Sequence, residues 1–327
     1  MEVTQSQNLI KPKIKSIAIS CNTFLRPEIL EKTLNSIAKL HIPDGIEIKV
    51  LVVDNDADAS AQAVVKQIQT DFPFEITYKV EEKRGLASAR NRLLKEAINL
   101  GVSHIAILDD DDVADAEWLY NLVDLYNTQE NAFIISGPEY CCFDGDFPDY
   151  LTNNNIFVKK TTKKKGEIRK VCSTHNAFFP LSIVKDNDIW FDSSFVFMGG
   201  EDGDFFYRAG KAGYTIVFNP DAIVREINGK DRVNARWILS RNFYNGYSGS
   251  YLQYKAGQKR LRRLLYLIKI FIICVLNILI SPFSIIFGLT AFYNVLGLSS
   301  KNLGKLVGVI RLQPINYYEH LNGGINK

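Results

Sequence analysis

Residues 104–119 read HIAILDDDDVADAEWL: an apolar run passes directly into four aspartates, Asp109 to Asp112, and then into an amphipathic stretch. Four like charges on one turn repel one another at neutral pH, which costs stability unless water, a helix N-terminus or a cation compensates. Taken alone, the run has two readings, a solvated loop with a helix cap or a metal site. Its place in the chain is more informative, because it closes the fourth in a series of short apolar runs that alternate with helical patterns.

Upstream, SIAISC (16–21), EIKVLVVD (47–54) and FEITYKV (74–80) read as strands. Between and after them, RPEILEKTLNSIAKL (26–40), residues 59–69 and LASARNRLLKEAINLG (86–101) carry apolar residues at helical spacing. HIAILD is then the fourth strand, Trp118 to Tyr126 a helix, and FIISG (133–137) a fifth strand. This alternation predicts an α/β fold with a mostly parallel sheet covered by helices on both faces. Such sheets bind ligands beyond the carboxyl ends of their strands, and two of these strands end in acid, at Asp54 and Asp109. Asp112 and Asp115 are expected to start the helix that follows, where carboxylates are favoured. Further on, the polar, lysine-rich stretch 153–170 reads as a surface hairpin or excursion. GGEDGDFFYRAGKAGY (199–214) is a glycine-led turn into a helix, YTIVFNP (214–220) a strand, and residues 233–255 a helix.

The chain has 327 residues, 46% hydrophobic and 23% charged, which excludes intrinsic disorder. Five cysteines without C-x-x-C spacing argue for free thiols in a reducing compartment. The first sixteen residues lack the apolar core of a secretory signal, so the folded part is expected in the cytosol. Net charge is only +3, but residues 228–327 hold 14 Lys and Arg against 2 Asp and Glu, whereas residues 1–227 hold 25 against 34. Within the basic part, residues 264–298 carry one charge, Lys269. A basic, apolar segment suits an anionic membrane surface and not nucleic acid. SPF at 281–283 leaves 17 apolar-rich residues on each side of Ser281, about 25 Å each as helix and marginal against a bilayer core of roughly 30 Å. Basic residues flank both ends, which favours keeping both on the cytosolic side. The preferred expectation is a peripheral or re-entrant helical pair on the cytoplasmic side of the inner membrane. A single span, a buried helix pair or a homodimer interface are the alternatives. The expected division is an N-terminal tail (1–13), an α/β domain (14–257) and a helical membrane-associating region (258–327).

An EF-hand loop counted from Asp109 would need Gly at position 114 and an acid at 120; the chain has Ala114 and Tyr120. A D-x-D pair, Asp109 and Asp111, at the end of a buried strand instead suits Mg²⁺ or Mn²⁺ held by one or two carboxylates plus substrate phosphate oxygens. The second acidic turn presents Glu201, Asp202 and Asp204, any of which could act as general base toward an acceptor hydroxyl; helix capping is the alternative. RGLASARN (84–91) brings Arg90, whose planar fork suits phosphate. Neither G-x-x-x-x-G-K-[ST] nor G-x-G-x-x-G occurs.

In their order and spacing, SIAISCNTFLRPEILEKTLNSI, VLVVDND, RGLASARN, AILDDDDVADAEWL, THNAFF, GGEDGDFFYRAGKAG and the segment from AIVREI to WILSRNFYNG resemble family 2 glycosyltransferases of the bacterial exopolysaccharide and lipopolysaccharide branch. The resemblance covers roughly residues 14–250 and implies a GT-A fold, a nucleotide-sugar donor, Mg²⁺ or Mn²⁺, and inversion at the anomeric carbon. By matching position it implies that Thr23, Arg26, Asp54, Arg90 and Asp109 hold the nucleotide and that Asp109 and Asp111 serve the metal. Asp202 would be the base, with Glu201 on the acceptor and His175, Asn176 and Gly200 near acceptor or sugar. Many relatives have a histidine after the last strand where this chain has Glu226, a carboxylate that could serve a hard cation as well. The Q-x-x-R-W motif of processive synthases is absent, which favours single-sugar addition to a glycan or glycolipid. The rival outside enzymology is an idle nucleotide-sugar-binding protein that assembles on membranes. Rival enzymes are weaker: a pyrophosphorylase wants a glycine-rich basic loop after the first strand, and a phosphohydrolase wants its D-x-D there.

Overall fold

The structure is a computed structural model that describes residues 9–158, 161–195, 199–257 and 260–311. Most of the expected tail (residues 1–8) and the last sixteen residues of the expected membrane region therefore lie outside the described residues. In chain order the elements are β1 (Ser16–Thr23), α1 (Pro27–Ile37), β2 (Glu47–Asp54), α2 (Gln62–Gln69), β3 (Glu75–Val80), α3 (Leu86–Asn99) and β4 (His104–Asp109). There follow β5 (Asp112–Ala114), α4 (Trp118–Thr128), β6 (Ile134–Ser136), β7 (Glu139–Phe143), α5 (Asp149–Thr152), β8 (Glu167–Arg169), β9 (Ala177–Pro180) and α6 (Ser182–Lys185). The chain ends through α7 (Glu201–Lys211), β10 (Ile216–Phe218), β11 (Val224–Asn228), α8 (Ala235–Lys255), α9 (Arg260–Ser284) and α10 (Leu289–Arg311).

The described residues divide into two compact units, those within 1–140, 161–193 and 201–226 forming one, and those within 141–160, 194–200 and 227–327 the other. The first unit holds an eight-stranded sheet in the order β3-β2-β1-β4-β9-β6-β10-β8. β1, β2, β3 and β4 are parallel, as expected, but β9 runs antiparallel between β4 and β6, and β8 antiparallel to β10. The sheet is therefore mixed. Apolar periodicity marks a buried strand without giving its direction, which depends on how the chain returns from the excursion before β9. Odd positions of β1 and even positions of β4 pack with α1, α2 and α4, as Ile17, Ile19, Cys21, Ala106 and Leu108 show. The opposite positions, Ala18, Ile105 and Ile107, pack with α3.

A smaller sheet, β5-β11-β7, corrects one expectation. Asp112 is not at a helix start: it opens β5, opposite Glu226 of β11, and α4 begins only at Trp118 behind Glu117. Asp115 likewise precedes the helix and pairs with Arg225. Strand pairing of Asp112–Ala114 with a segment over a hundred residues away overrode the local capping signal.

In the second unit, α8 packs along α10 through glycines. A Cβ on Gly246 would overlap the Lys301 carbonyl, and one on Gly304 the Phe243 carbonyl. By compactness α8 groups with the helices that follow it, on the far side of residue 257 from the expected division. The apolar run is corrected as well. α9 continues through Pro282, which lies two residues before its last residue, Ser284, and the chain turns only at Gly288, with φ +96°. The Ser281 hydroxyl donates to the Ile278 carbonyl at 3.0 Å, the acceptor that the missing Pro282 N–H would have used. α9 thus has 25 residues, about 37 Å. Among the described residues, Leu261–Phe287 is the one helical segment long and apolar enough to cross a membrane. Ile270 and Cys274 are buried, while Leu264, Leu265, Ile268, Phe271, Ile272, Leu276, Leu279 and Phe283 are exposed.

Candidate active site

The carboxyl ends of β1, β2 and β4 carry Thr23, Asp54 and Asp109. Asp54 is fully buried, and its carboxylate accepts the Asp56 N–H (3.1 Å), the Ala61 N–H (2.8 Å) and the Tyr78 hydroxyl (2.7 Å). Its neighbour Asn55 donates to the Glu81 and Lys83 carbonyls at 2.8 and 2.9 Å and accepts the Gly85 N–H at 2.8 Å. Asn55 thereby fixes the loop that launches α3, at a glycine whose φ of +131° few other residues tolerate. Sequence reasoning missed Asn55.

The acidic turn is arranged differently. Asp109 is partly exposed at its carboxylate, and its N–H donates to Asp112 Oδ2 at 2.9 Å. Asp110 is buried, accepts the Thr23 hydroxyl at 2.8 Å and lends its carbonyl to Thr33 at 2.6 Å. Asp111 pairs with Arg26 at 3.0 Å. Burial, then the charge of Asp111, pushes the Asp110 carboxyl up to about 7. Burial also raises Asp112 well above the carboxylate range, helped by Asp111, Glu139 and Asp109. Asp112 Oδ1 is buried with no hydrogen-bond partner among the described residues. These are the marks of a carboxylate group short of positive charge.

α3 brings Arg90 to this edge. Its guanidinium, almost wholly buried, forms an ion pair with Glu201 at the start of α7 and lies 3.4 Å from Asp109 Oδ1. The two acidic turns, ninety-two residues apart from Asp109 to Glu201, thus share one arginine. Burial raises the Glu201 carboxyl against the pull of Arg90. Asp202, half-buried, holds the Gly203 N–H at 2.7 Å.

Aromatic and polar contacts fix α7. Asn91 makes two 2.8 Å hydrogen bonds to the backbone of Phe191, whose ring stacks on Phe205 at 4.3 Å. Arg208 bonds Asp204 at 2.7 Å and the Trp190 carbonyl at 2.5 Å. Gly200 has φ +96° and belongs to the second unit with Gly199.

The remaining sequence candidates separate. His175 pairs with the buried Glu139 at 3.2 Å, and Glu139 was not anticipated. Asn176 is spent within the fold: its amide donates to the Pro138 and Ala222 carbonyls at 2.9 and 2.8 Å and its oxygen accepts the Trp118 indole N–H at 2.9 Å. Glu226 stands opposite Asp112 in the β5–β11 pair, which brings it to the acidic turn.

Among the described residues no group of three or more His, Cys, Asp or Glu is gathered as a ligand set. Hard carboxylate oxygens at Asp109 and Asp111, and the Asp112 oxygen that has no partner among the described residues, are the groups that could take Mg²⁺ or Mn²⁺. Two carboxylates suffice where substrate phosphates complete the shell.

The family model for glycosyl transferase family 2 matches residues 17–187, more than half of the chain. This chain belongs to glycosyl transferase family 2. A related model, glycosyl transferase family group 2, matches residues 104–300 of the glycosyltransferase. It is 32% identical over 230 residues to the succinoglycan biosynthesis protein ExoM of Rhizobium meliloti (strain 1021), covering 70% of this chain and 72% of that one. It is 22% identical over 251 residues to the glucosyl-dolichyl phosphate glucuronosyltransferase of Haloferax volcanii, covering 71% and 75%. The fold is similar to that of the mannosyltransferase PcManGT from Pyrobaculum calidifontis, solved with GDP-Man and Mn²⁺ (TM-score 0.60, 13% identity, 92% and 88% of the two chains). It also resembles S. aureus TarS 1–349 solved with UDP-GlcNAc (TM-score 0.51, 13% identity, 89% and 91%). The glycosyltransferase thus has the GT-A-like fold that its sequence led one to expect.

Proposed function

We propose that this glycosyltransferase moves one sugar, with inversion, from a nucleoside-diphosphate donor to a hydroxyl of a lipid-linked glycan or glycolipid in cell-surface polysaccharide biosynthesis. The observation that carries the reading is Arg90, shared between Asp109 of the acidic turn and Glu201 of the second turn. It draws donor-type and acceptor-type carboxylates to the same end of the sheet, where α/β folds bind ligands. The relationship to ExoM supports the biosynthetic setting. The nucleotide sugars in the PcManGT and TarS structures support the donor class.

Mg²⁺ or Mn²⁺, held by Asp109 and Asp111 with Glu226 nearby, would neutralise charge on the departing diphosphate. Arg26 and Arg90 bring fixed positive charge beside it, and Thr23 keeps Asp110 in place. Asp202 takes the acceptor hydroxyl's proton as that oxygen bonds to the anomeric carbon and the bond to the diphosphate oxygen breaks. One displacement needs no enzyme nucleophile, so the buried Cys21 has no part in it. His175, set by Glu139, and Glu201 border the acceptor side.

The exposed apolar face of α9 and its basic flanks support attachment to the cytoplasmic leaflet, with α9 lying in the interface. α10, by contrast, packs on α8 and carries Asn294, Ser299, Lys301 and Lys305, a poor composition for a return through lipid.

The test is transfer from a panel of nucleotide sugars to a lipid-linked acceptor extract with Mn²⁺ or Mg²⁺. Asp202→Asn should lower turnover by about 10²–10⁴-fold while donor binding, read by calorimetry, stays within twofold. Wild-type protein that binds donors yet transfers nothing would favour the idle binding protein instead.

A further inference from the structure

Between Leu264 and Leu298 the chain carries one charge, Lys269, set within the apolar helix α9. Ile270 beside it is buried, whereas Ile268, Phe271 and Ile272 are exposed. A lysine there interrupts a surface suited to lipid, and its ammonium group needs polar company.

The company that the neighbouring helix provides has the same sign. α10 packs along α9, tied to it by the Arg263 guanidinium, which donates to the Val309 carbonyl. α10 carries Lys301 and Lys305 one turn apart, a spacing at which like charges repel. Close packing on α8 fixes where they stand, since a Cβ on Gly246 would overlap the Lys301 carbonyl and lie 3.0 Å from the Lys305 backbone nitrogen. The Lys305 ammonium donates to Oδ1 of the buried Asn302 at 3.1 Å. Burial, then the charge of Lys301, lowers the Lys305 ammonium below its ordinary value; Lys269 acts in the same direction, and the Cys274 thiol of α9 opposes it. Three ammonium groups from two helices thus share one neighbourhood. The surrounding sequence offers nothing to offset them, because residues 232–318 contain neither Asp nor Glu. This is the reverse of the acidic turn, a cationic group short of negative charge.

We infer that Lys269, Lys301 and Lys305 form a binding site for the phosphate group of a lipid whose hydrocarbon lies on the exposed face of α9; this deepens the lipid-linked acceptor reading above and rests on it. Ammonium groups only donate hydrogen bonds, and phosphate oxygens accept them. Basic pockets between helices at a membrane surface take such head groups. Ile268, Phe271 and Ile272 place apolar surface directly beside the charges, so chain and phosphate are recognised together.

The experiment uses the full chain and two variants of equal net charge. One is Lys269→Gln with Lys301→Gln and Lys305→Gln; the other is Lys230→Gln with Arg236→Gln and Arg262→Gln, three exposed cations elsewhere in the same unit. Cosedimentation is measured with phosphatidylcholine vesicles, plain or carrying one-tenth phosphatidic acid, a phosphomonoester, and melting temperature by differential scanning. The proposal expects the first variant to lose phosphatidic acid vesicles at least tenfold and the second at most threefold. It also expects the first to melt no lower than wild type, because repulsion is relieved. Should the triple variant not fold, Lys269→Gln alone, at an exposed position, should lose at least threefold. Equal losses in the two folded variants would mean bulk charge attraction and overturn the site. Millimolar inorganic phosphate, which lacks the chain, should leave vesicle binding within twofold; if it abolishes binding, the site belongs to a soluble phosphate and the lipid is wrong. Wild type that binds no vesicle sinks the lipid-acceptor reading and the site with it, whereas vesicle-bound wild type whose variants fall together sinks the site alone.

Discussion

Two strands in this molecule run into turns that hold buried aspartate, and the turns are built on opposite plans. After β2, the Asp54 carboxylate is filled by two backbone N–H groups and a tyrosine hydroxyl. After β4, four aspartates crowd one turn, with Arg26, Arg90, Thr23 and a backbone N–H among their partners, and a buried oxygen of Asp112 lacks a partner among the described residues. The first turn is complete as it stands; the second is short of positive charge. An acid at the end of a strand is therefore not in itself a ligand site. What distinguishes the two is whether the chain supplies the compensating donors.

The largest effects should separate the two turns by substitution. Asp111→Ala removes a carboxylate from a repelling group, so stability should hold or rise, while the proposed metal-dependent transfer should fall by at least about 100-fold, since a bound cation's charge stabilisation would be worth several kcal/mol. Asp54→Ala leaves two N–H donors and a hydroxyl unpaired in the interior, and should cost about 3 kcal/mol or more of folding free energy. Urea unfolding and steady-state transfer on both variants check this. If Asp111→Ala unfolds more readily than Asp54→Ala, the contrast is wrong.

The parallel half of the fold was legible because β1 to β4 and their helices follow local rules: apolar runs, helical spacing, Gly85 ahead of α3. β2 and β4 fall on the expected residues, 47–54 and 104–109. What was not legible depended on distant pairing. Asp112 carries a helix-start signal, yet β11 recruits it into a strand. Asn176 lies in the family-like THNAFF stretch, yet its amide ties three segments of the fold together. Pro282 marks a break in any sequence, yet so near a helix end it costs one hydrogen bond, whose acceptor Ser281 takes over. Glu139 and Asn55 gave no signal at all, since each acts through a partner that only the tertiary structure names.

A further way to sharpen the contrast is pH. The Asp110 carboxyl is pushed up to about 7 by burial and by Asp111, whereas an unfolded aspartate ionises near 4. The folded protein thus holds a proton that the unfolded chain has released between those values, so this group's contribution to stability falls as pH rises from about 4 to 7. Asp110→Asn cannot lose that proton. With EDTA present, its melting temperature relative to wild type should climb between pH 5 and pH 8, by a few degrees if the effect is about 1 kcal/mol. A difference that stays flat with pH would mean Asp110 is already ionised in the fold.

The second unit offers a smaller test of the same logic, since its exposed surface also lacks something. Phe271 and Leu279 lie on the exposed side of α9. Replacing both with Glu should leave the melting temperature within a few degrees and reduce cosedimentation with phosphatidylglycerol vesicles at least fivefold. Substitution is preferable to truncation, because α10 is packed onto α8. Unchanged vesicle binding would remove the membrane from the proposal.

The smallest expected effect bears on Asp54 directly. Tyr78→Phe deletes one donor and keeps the ring, which should cost about 1 kcal/mol, the usual worth of a single hydrogen bond. If Asp54 is fully spent on its own turn, donor affinity should not move, because the remaining N–H donors from Asp56 and Ala61 still hold the carboxylate in place. If Asp54 instead holds the nucleotide, as the family resemblance implies, freeing an oxygen from Tyr78 should shift donor affinity or the preference among bases by more than threefold. Stability and affinity measured on one variant thus decide whether the closed turn is scaffold alone or scaffold and reader together.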